Sequence, residues 1–316
     1  MGLSLDLCRS HNTTRSFRLE KGLSPSSAKP PTGTIRPSVI NRAKLSLQNL
    51  YAYTKEAFLT ADPDQKIELT RQTVSRWNAG ELEWLEGDTP EWLLQPGQLD
   101  KPEIVPPSKV NERKFGKEEG RAALIHALAH IELTAVNLAL DSVYRYRGMP
   151  QEFYTNWIQC AGEEANHFMA LRGRLREMGY DYGSFKAHGE LWSIAIDTAD
   201  DMLERMGMVH RVLEARALDV VPKAIQRFDQ AGDKKMIDIL TMIGNEEIGH
   251  VSSGTRWFHY QCQQRQLDPN QTFIDLLWKY IKEPLKGPFN YEARLKAGFS
   301  EQEMKMIEMM RETGKA

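Results

Sequence analysis

The sequence predicts an all-α protein, on three observations. Apolar residues recur at helical spacing through several segments of about thirty residues. Gly148 with Pro150 and Gly179 stand as stop signals at the ends of the first two of those segments. No stretch alternates apolar and polar residues over a length useful for a strand. The expected architecture is a four-helix bundle over residues 117–266, with accessory N-terminal helices before it and a helical C-terminal tail after it.

In chain order, residues 1–40 are rich in Ser, Thr, Pro and basic residues and read as an extended or disordered arm. Residues 41–116 hold two short helices split by "TADPDQ", then "TPEWLLQPGQLDKPEIVPPSKV", whose prolines require an extended surface connector. The first bundle helix, "KEEGRAALIHALAHIELTAVNLALDSVYRYRG", ends at Gly148 with Pro150 close behind. The second, "QEFYTNWIQCAGEEANHFMALRGRLREMG", closes at Gly179, and the short turn between the two makes them antiparallel. "YDYGSFKAHGELW" then reads as a connection. The third helix is expected over about Thr198 to Asp229 with a kink at Pro222, and the fourth over about Lys234 to Gln266. Residues 267–316 form the tail, broken by a loop at "EPLKGPFN".

Composition narrows the function. The 41 basic and 43 acidic residues, with a pI near 6.5, give no global field for nucleic acid or anionic lipid. Cys8, Cys160 and Cys262 are odd in number and lack Cys-x-x-Cys spacing, which argues against a disulfide framework or structural zinc. A reducing cytoplasm is expected, and neither a signal peptide nor a membrane-spanning segment.

The chemistry lies in a repeated motif. Glu163-Glu164-x-x-His167 and Glu246-Glu247-x-x-His250 contain the two histidines, of eight, that follow a glutamate by three residues. Positions i and i+3 of a helix share one side, about 4.5 Å apart along the axis, so each pair aims two ligands at one spot. Glu132 and Glu214 lie among apolar neighbours in the first and third helices. Glu132 precedes Glu164 by 32 residues and Glu214 precedes Glu247 by 33, so the chain writes the same ligand order twice. One Glu from each of two helices and Glu-x-x-His from each of the other two is the ligand pattern of the di-iron and di-manganese sites of ferritin-like bundles. Four buried carboxylates would repel one another and resist desolvation, and two divalent cations compensate both costs. Two ions are therefore expected, with iron first and manganese or a mixed Mn/Fe pair as alternatives. Glu164 and Glu247 read as bridges, Glu132 and Glu214 as terminal ligands.

Other residues read more plainly. Glu163 and Glu246, about 100° around the helix from the ligands, are solvent-facing or support the site. His126 and His130 point away from Glu132 and read as polar packing. His188 covers the site or caps a helix. Cys160 lies one turn before Glu164 and reads as a space-filling core residue. The arginines of "RGRLRE" read as a solvated face rather than an RNA-binding stripe.

The chain also resembles a family of ferritin-like proteins, domain of unknown function 455. The resemblance runs from about Leu45 to Phe299 and is carried by "GRAALIHALAHIELTAVNLALD", "EEANHF", "AHGELW", "VLEARALDVVP", "EEIGHVSSGTRWF" and "PFNYEARLKAGF". It implies a ferritin-like fold and a di-metal site at the same six residues, and brings no settled activity. A more distant similarity is to a tRNA-modifying di-iron hydroxylase. The chain departs from the family pattern at His210, where proline is expected, and at Ala217, where glycine is expected. His210 lies on the face of Glu214 and could support it or add a ligand.

These readings lead to an O₂-using di-iron oxidoreductase or hydroxylase acting on a small organic substrate, with an external electron donor. Two alternatives stand beside it: a ferroxidase or metal-binding protein without organic substrate, and an RNA-associated or structural protein with a vestigial metal site. Nucleic acid is not an expected partner of the leading reading, and a homodimer is compatible with it. The oxygenase reading further expects an elongated pocket reaching the site near Glu132 and Glu214, walled by the "YDYGSFKAHGELW" connection, the proline-rich connector and the tail.

Overall fold

The structure, a computed structural model, describes residues 48–84, 89–110, 113–281, 285 and 287–313. The arm expected over residues 1–40 lies outside them. Among the described residues the fold is all-α, with no strand and only the isolated bridges Asn49–Glu83 and Ile104–Ala187.

Two short helices come first. In α1, Leu50–Leu59, the Asn49 side chain accepts from the Tyr51 amide. In α2, Pro63–Asn78, proline takes the first turn, where its missing N–H costs nothing, and Asp62 caps the Gln65 amide. Both pack on the long pair that follows. Tyr51 and Tyr154 join their hydroxyls at 2.9 Å, and Trp77 Nε1 donates to Thr155 Oγ1 at 3.1 Å. Lys66, fully buried, donates to the Ala57 and Phe58 carbonyls and so closes the C-terminal end of α1.

Helix α3, Glu118–Arg145, and α4, Gln151–Glu177, are joined by residues 146–150 and run antiparallel. Gly148 makes that turn with φ +69°, a conformation strained for any residue with a Cβ. Helix α3 is long and apolar enough by composition to cross a membrane, yet most of its apolar stretch is buried inside the fold. Its apolar surface is used by packing.

The next segment differs from the sequence expectation. Part of the connection after α4 is helical, as α5, Glu190–Asp197. The third long segment is α6, Met202–Gly207, a π turn over Met208–Leu213, and α7, Ala215–Gln230. Pro222 lies inside α7, and the irregularity falls at the π turn, where the Glu214 amide donates to the Val209 carbonyl five residues back. Helix α8, Lys234–Gln264, starts at the Asp233 cap. It passes so close to the π turn that a Cβ on Gly254 would stand 2.2 Å from the His210 carbonyl oxygen.

Four long segments close a ring. α3 packs on α4, α4 on α8, and α8 on α7 and the π turn. The ring closes through Ser142 of α3 at 2.9 Å from His210 and through Asp141, which accepts from Arg205 at 2.7 Å. The tail forms α9, Pro269–Tyr280, α10, Tyr291–Lys296, and α11, Glu301–Thr313. α11 begins with a capping box, Ser300 and Glu303 each accepting from the other's amide. Two buried ion pairs fix the tail: Arg211 to Glu303 at 2.7 and 2.6 Å, and Arg294 to Asp219 at 3.0 and 2.7 Å.

Candidate metal centre

Glu132, Glu164, His167 and Glu247 bring one ligand atom each to within 4.8 Å of one another, in the interior where α3, α4 and α8 meet. A second group, overlapping at Glu164, joins Cys160 and His250 within the same limit. Helical geometry accounts for each half of the cluster, because Glu164/His167 and Glu247/His250 are i, i+3 pairs. Side-chain burial supplies the rest.

The first glutamate of each doublet crosses to the other helix. His167 Nε2 lies 2.7 Å from Glu246 of α8, and His250 Nε2 lies 2.8 Å from Glu163 of α4. A carboxylate only accepts, so Nε2 carries the proton in both rings and Nδ1 faces inward. His167 Nδ1 lies 3.3 Å from Glu164 and 3.4 Å from Glu132, while His250 Nδ1 lies 3.0 Å from Glu164 and 3.6 Å from Glu247. Glu163 and Glu246 are 30 % and 38 % exposed, so they stand between the buried cluster and solvent.

The electrostatics describe a cluster held together by protons. Burial, with the Glu164 charge beside it, raises Glu132 to about 8, and burial raises Glu214 to about 8 and Glu247 upward. Burial opposes a charge on His167, but the bonds to Glu132 and Glu164 outweigh it and raise the ring to about 11. His250 is likewise raised well above its ordinary value, burial being outweighed by Cys160, Glu164 and Glu163. Burial pushes the Cys160 thiol upward.

Glu214 falls outside both groups. Its Oε1 lies 2.8 Å from His210 Nδ1. Burial, with the Arg205 charge nearby, holds His210 well below its ordinary value, so its ring is neutral. Ser142 Oγ donates to the Leu138 carbonyl and therefore accepts from His210 Nε2, which leaves Nδ1 to accept from a protonated Glu214. His210, its ring centroid 4.0 Å from that of Trp157, thus lies hydrogen-bonded against Glu214.

The set fits a divalent cation. Glu214 Oε2 is buried without a hydrogen-bond partner, which costs about 1–3 kcal/mol until something pairs with it, and His250 Nδ1, 3.0 Å from Glu164, makes no hydrogen bond of good geometry. Carboxylate oxygens and imidazole nitrogens suit first-row metals, and the ion pairs of Glu132, Glu164 and Glu247 run to His167 and His250.

The remaining sequence candidates sit elsewhere. His126 Nε2 accepts from the Gly183 amide and His130 meets the Tyr182 hydroxyl at 2.8 Å, both as packing residues. His188 lies with its Nδ1 3.8 Å from Glu190. It lines a cavity of about 270 Å³ bounded by Gln95–Ile104 of the connector and residues 186–193. None of the six proposed ligands and no part of the tail is in its walls, and its α3 side is the face turned away from Glu132. Arg172, Arg174 and Arg176 all pair with acids, among them Asp181 and Asp233.

Fold and site together define an all-α protein with buried carboxylate and histidine groups that could hold a metal ion. The chain belongs to the family described as protein of unknown function (DUF455), whose profile matches residues 59–305. An uncharacterized protein of Haemophilus influenzae is 38 % identical over 281 residues, covering 85 % of this chain and 97 % of that one. No solved structure matches the chain.

Proposed function

We propose that this is a di-metal carboxylate protein with a ferritin-like four-helix bundle, and that it works as an O₂-dependent oxidoreductase or hydroxylase on an organic substrate. Glu132, Glu164, His167, Glu214, Glu247 and His250 hold two ions, iron foremost. The reciprocal pairing of His167 with Glu246 and His250 with Glu163 carries this reading. It fixes each imidazole by its outer nitrogen and presents the inner one, as a metal ligand requires and as a merely packed histidine does not.

When bound, two redox-active ions supply electrons for O₂ reduction and oxidising power toward a substrate. The chain's own residues prepare for that. Glu163 and Glu246 form a part-exposed acidic approach that favours incoming cations. Glu132, Glu214 and Glu247 surrender protons as cations replace them. Glu164, shared by both groups, would contribute to both positions.

A second reading, ferrous oxidation without an organic substrate, draws support from the 270 Å³ cavity, whose walls exclude the ligands. The test is anaerobic ferrous loading, metal counting, then O₂ uptake with and without an added reductant. An oxygenase shows reductant-dependent, repeated uptake and an oxidised product from cell extract. A ferroxidase shows uptake that stops in proportion to the iron added. At most one ion per chain after loading refutes the di-metal reading.

A further inference from the structure

The two halves of the site are not equivalent. Four residues before Glu164 stands Cys160, and the matching place before Glu247 is Ile243, equally buried. The repeat thus carries a thiol in one half and a hydrocarbon in the other. Cys160 is only 3 % exposed, and its Sγ falls within 4.8 Å of ligand atoms of both Glu164 and His250. His250 is 2 % exposed, its Nε2 is taken by Glu163, and its inward Nδ1, 3.0 Å from a Glu164 oxygen, makes no contact of hydrogen-bond geometry. That buried nitrogen, aimed inward with no hydrogen bond made, is the independent sign that a ligand belongs beside the thiol.

We infer that Cys160 is a metal ligand, so that one of the two positions is thiolate-bearing and includes Cys160, Glu164 and His250. The other, built from Glu132, Glu164, His167 and Glu247, has only oxygen and nitrogen donors. This rests on the metal-centre reading above. Coordination breaks the S–H bond, forms a sulfur–metal bond and releases one proton to solvent, with no change of oxidation state. A thiolate favours Fe²⁺, Co²⁺ or Zn²⁺ over Mn²⁺ and Mg²⁺, so the Cys160 position discriminates among metals while its neighbour accepts harder ions.

The test uses Co²⁺ alone, added to the metal-free full chain under anaerobic conditions. The wild type is expected to bind Co²⁺ with a near-ultraviolet thiolate-to-cobalt charge-transfer band, and excess Mn²⁺ is expected to displace the cobalt that lacks the band first. In Cys160→Ser and Cys160→Ala the band disappears while the other position still fills. X-ray absorption at the cobalt edge of the wild type, with sulfur expected in the first shell, needs no variant and covers the case where neither variant folds. Cobalt bound without the band or a sulfur neighbour, or a band that survives in Cys160→Ser, overturns the thiolate ligand and leaves the metal centre standing. No bound cobalt overturns both.

Discussion

His167 and Glu246 lie 79 residues apart in the chain and meet at 2.7 Å, on the side of the ring opposite the buried carboxylates. The contact orients the imidazole and raises its basicity at the inner nitrogen.

Removing that support is expected to weaken metal binding without unfolding the protein, because Glu246 is part-exposed. Glu246→Ala and Glu163→Ala should each lower affinity by about 10–100-fold, with partial recovery in the Gln variants, which keep an acceptor. Equilibrium dialysis against Co²⁺ or Fe²⁺ measures this. Unchanged affinity in both Ala variants contradicts the assigned role.

Glu164 is the one proposed ligand common to both groups, so Glu164→Ala should lose both ions, whereas Glu132→Ala or Glu214→Ala should mainly weaken one. Metal counts on each variant decide. Equal losses in all three refute the bridging assignment.

The site's own contribution to the stability of the metal-free protein should fall as pH rises. Glu132 and Glu214, raised to about 8 from 4.5, bind protons in the folded state that the unfolded chain has already lost over that interval. Their best contribution lies below the lower value and is lost as pH passes the higher one. His167, raised to about 11 from 6.5, stabilises fully below 6.5 and loses that contribution as pH climbs through 11, in the same direction. Between roughly pH 5 and 9 the melting temperature of the metal-free protein is expected to fall relative to that of the metal-bound form, since cations take the place of the protons, while His126, His130 and Lys66, shifted the opposite way, are common to both forms. Parallel pH profiles for the two forms count against a buried site.

The tail is held by a buried bidentate pair, Arg211 of the π turn with Glu303 of α11, the guanidinium lying among the rings of Phe258, Phe273 and Phe299. Glu303→Gln strands that charge and should cost about 3–5 kcal/mol in urea unfolding. The double replacement Arg211→Met with Glu303→Leu should recover most of it, because two apolar side chains need no partner. A double variant as weak as the single one refutes the stranded-charge account.

Much of the site was legible in the sequence because it is local. Glu-x-x-His is a helical period written in residues, and the near-equal spacings from Glu132 to Glu164 and Glu214 to Glu247 require only that helices of similar length fold back on each other. The long helices and their ends follow from apolar spacing and from glycine and proline placement for the same reason. What had no local signature came from packing. Which ring Glu163 or Glu246 reaches depends on the rotation of α4 against α8, and a side chain about 100° from the ligand face reads alone as solvent-facing. The π turn at Met208–Leu213 inserts one residue where α8 approaches at Gly254, so the irregularity sits there and not at Pro222, which the sequence had singled out. Cys160 reads alone as an ordinary core residue, and only the arrival of His250 from α8 places a buried, inward-facing nitrogen beside it. The sequence by itself determined the long helices and the residue types of the candidate site. Tertiary structure decided the partners across helices, because those depend on helix rotation and register, which no period within one helix encodes.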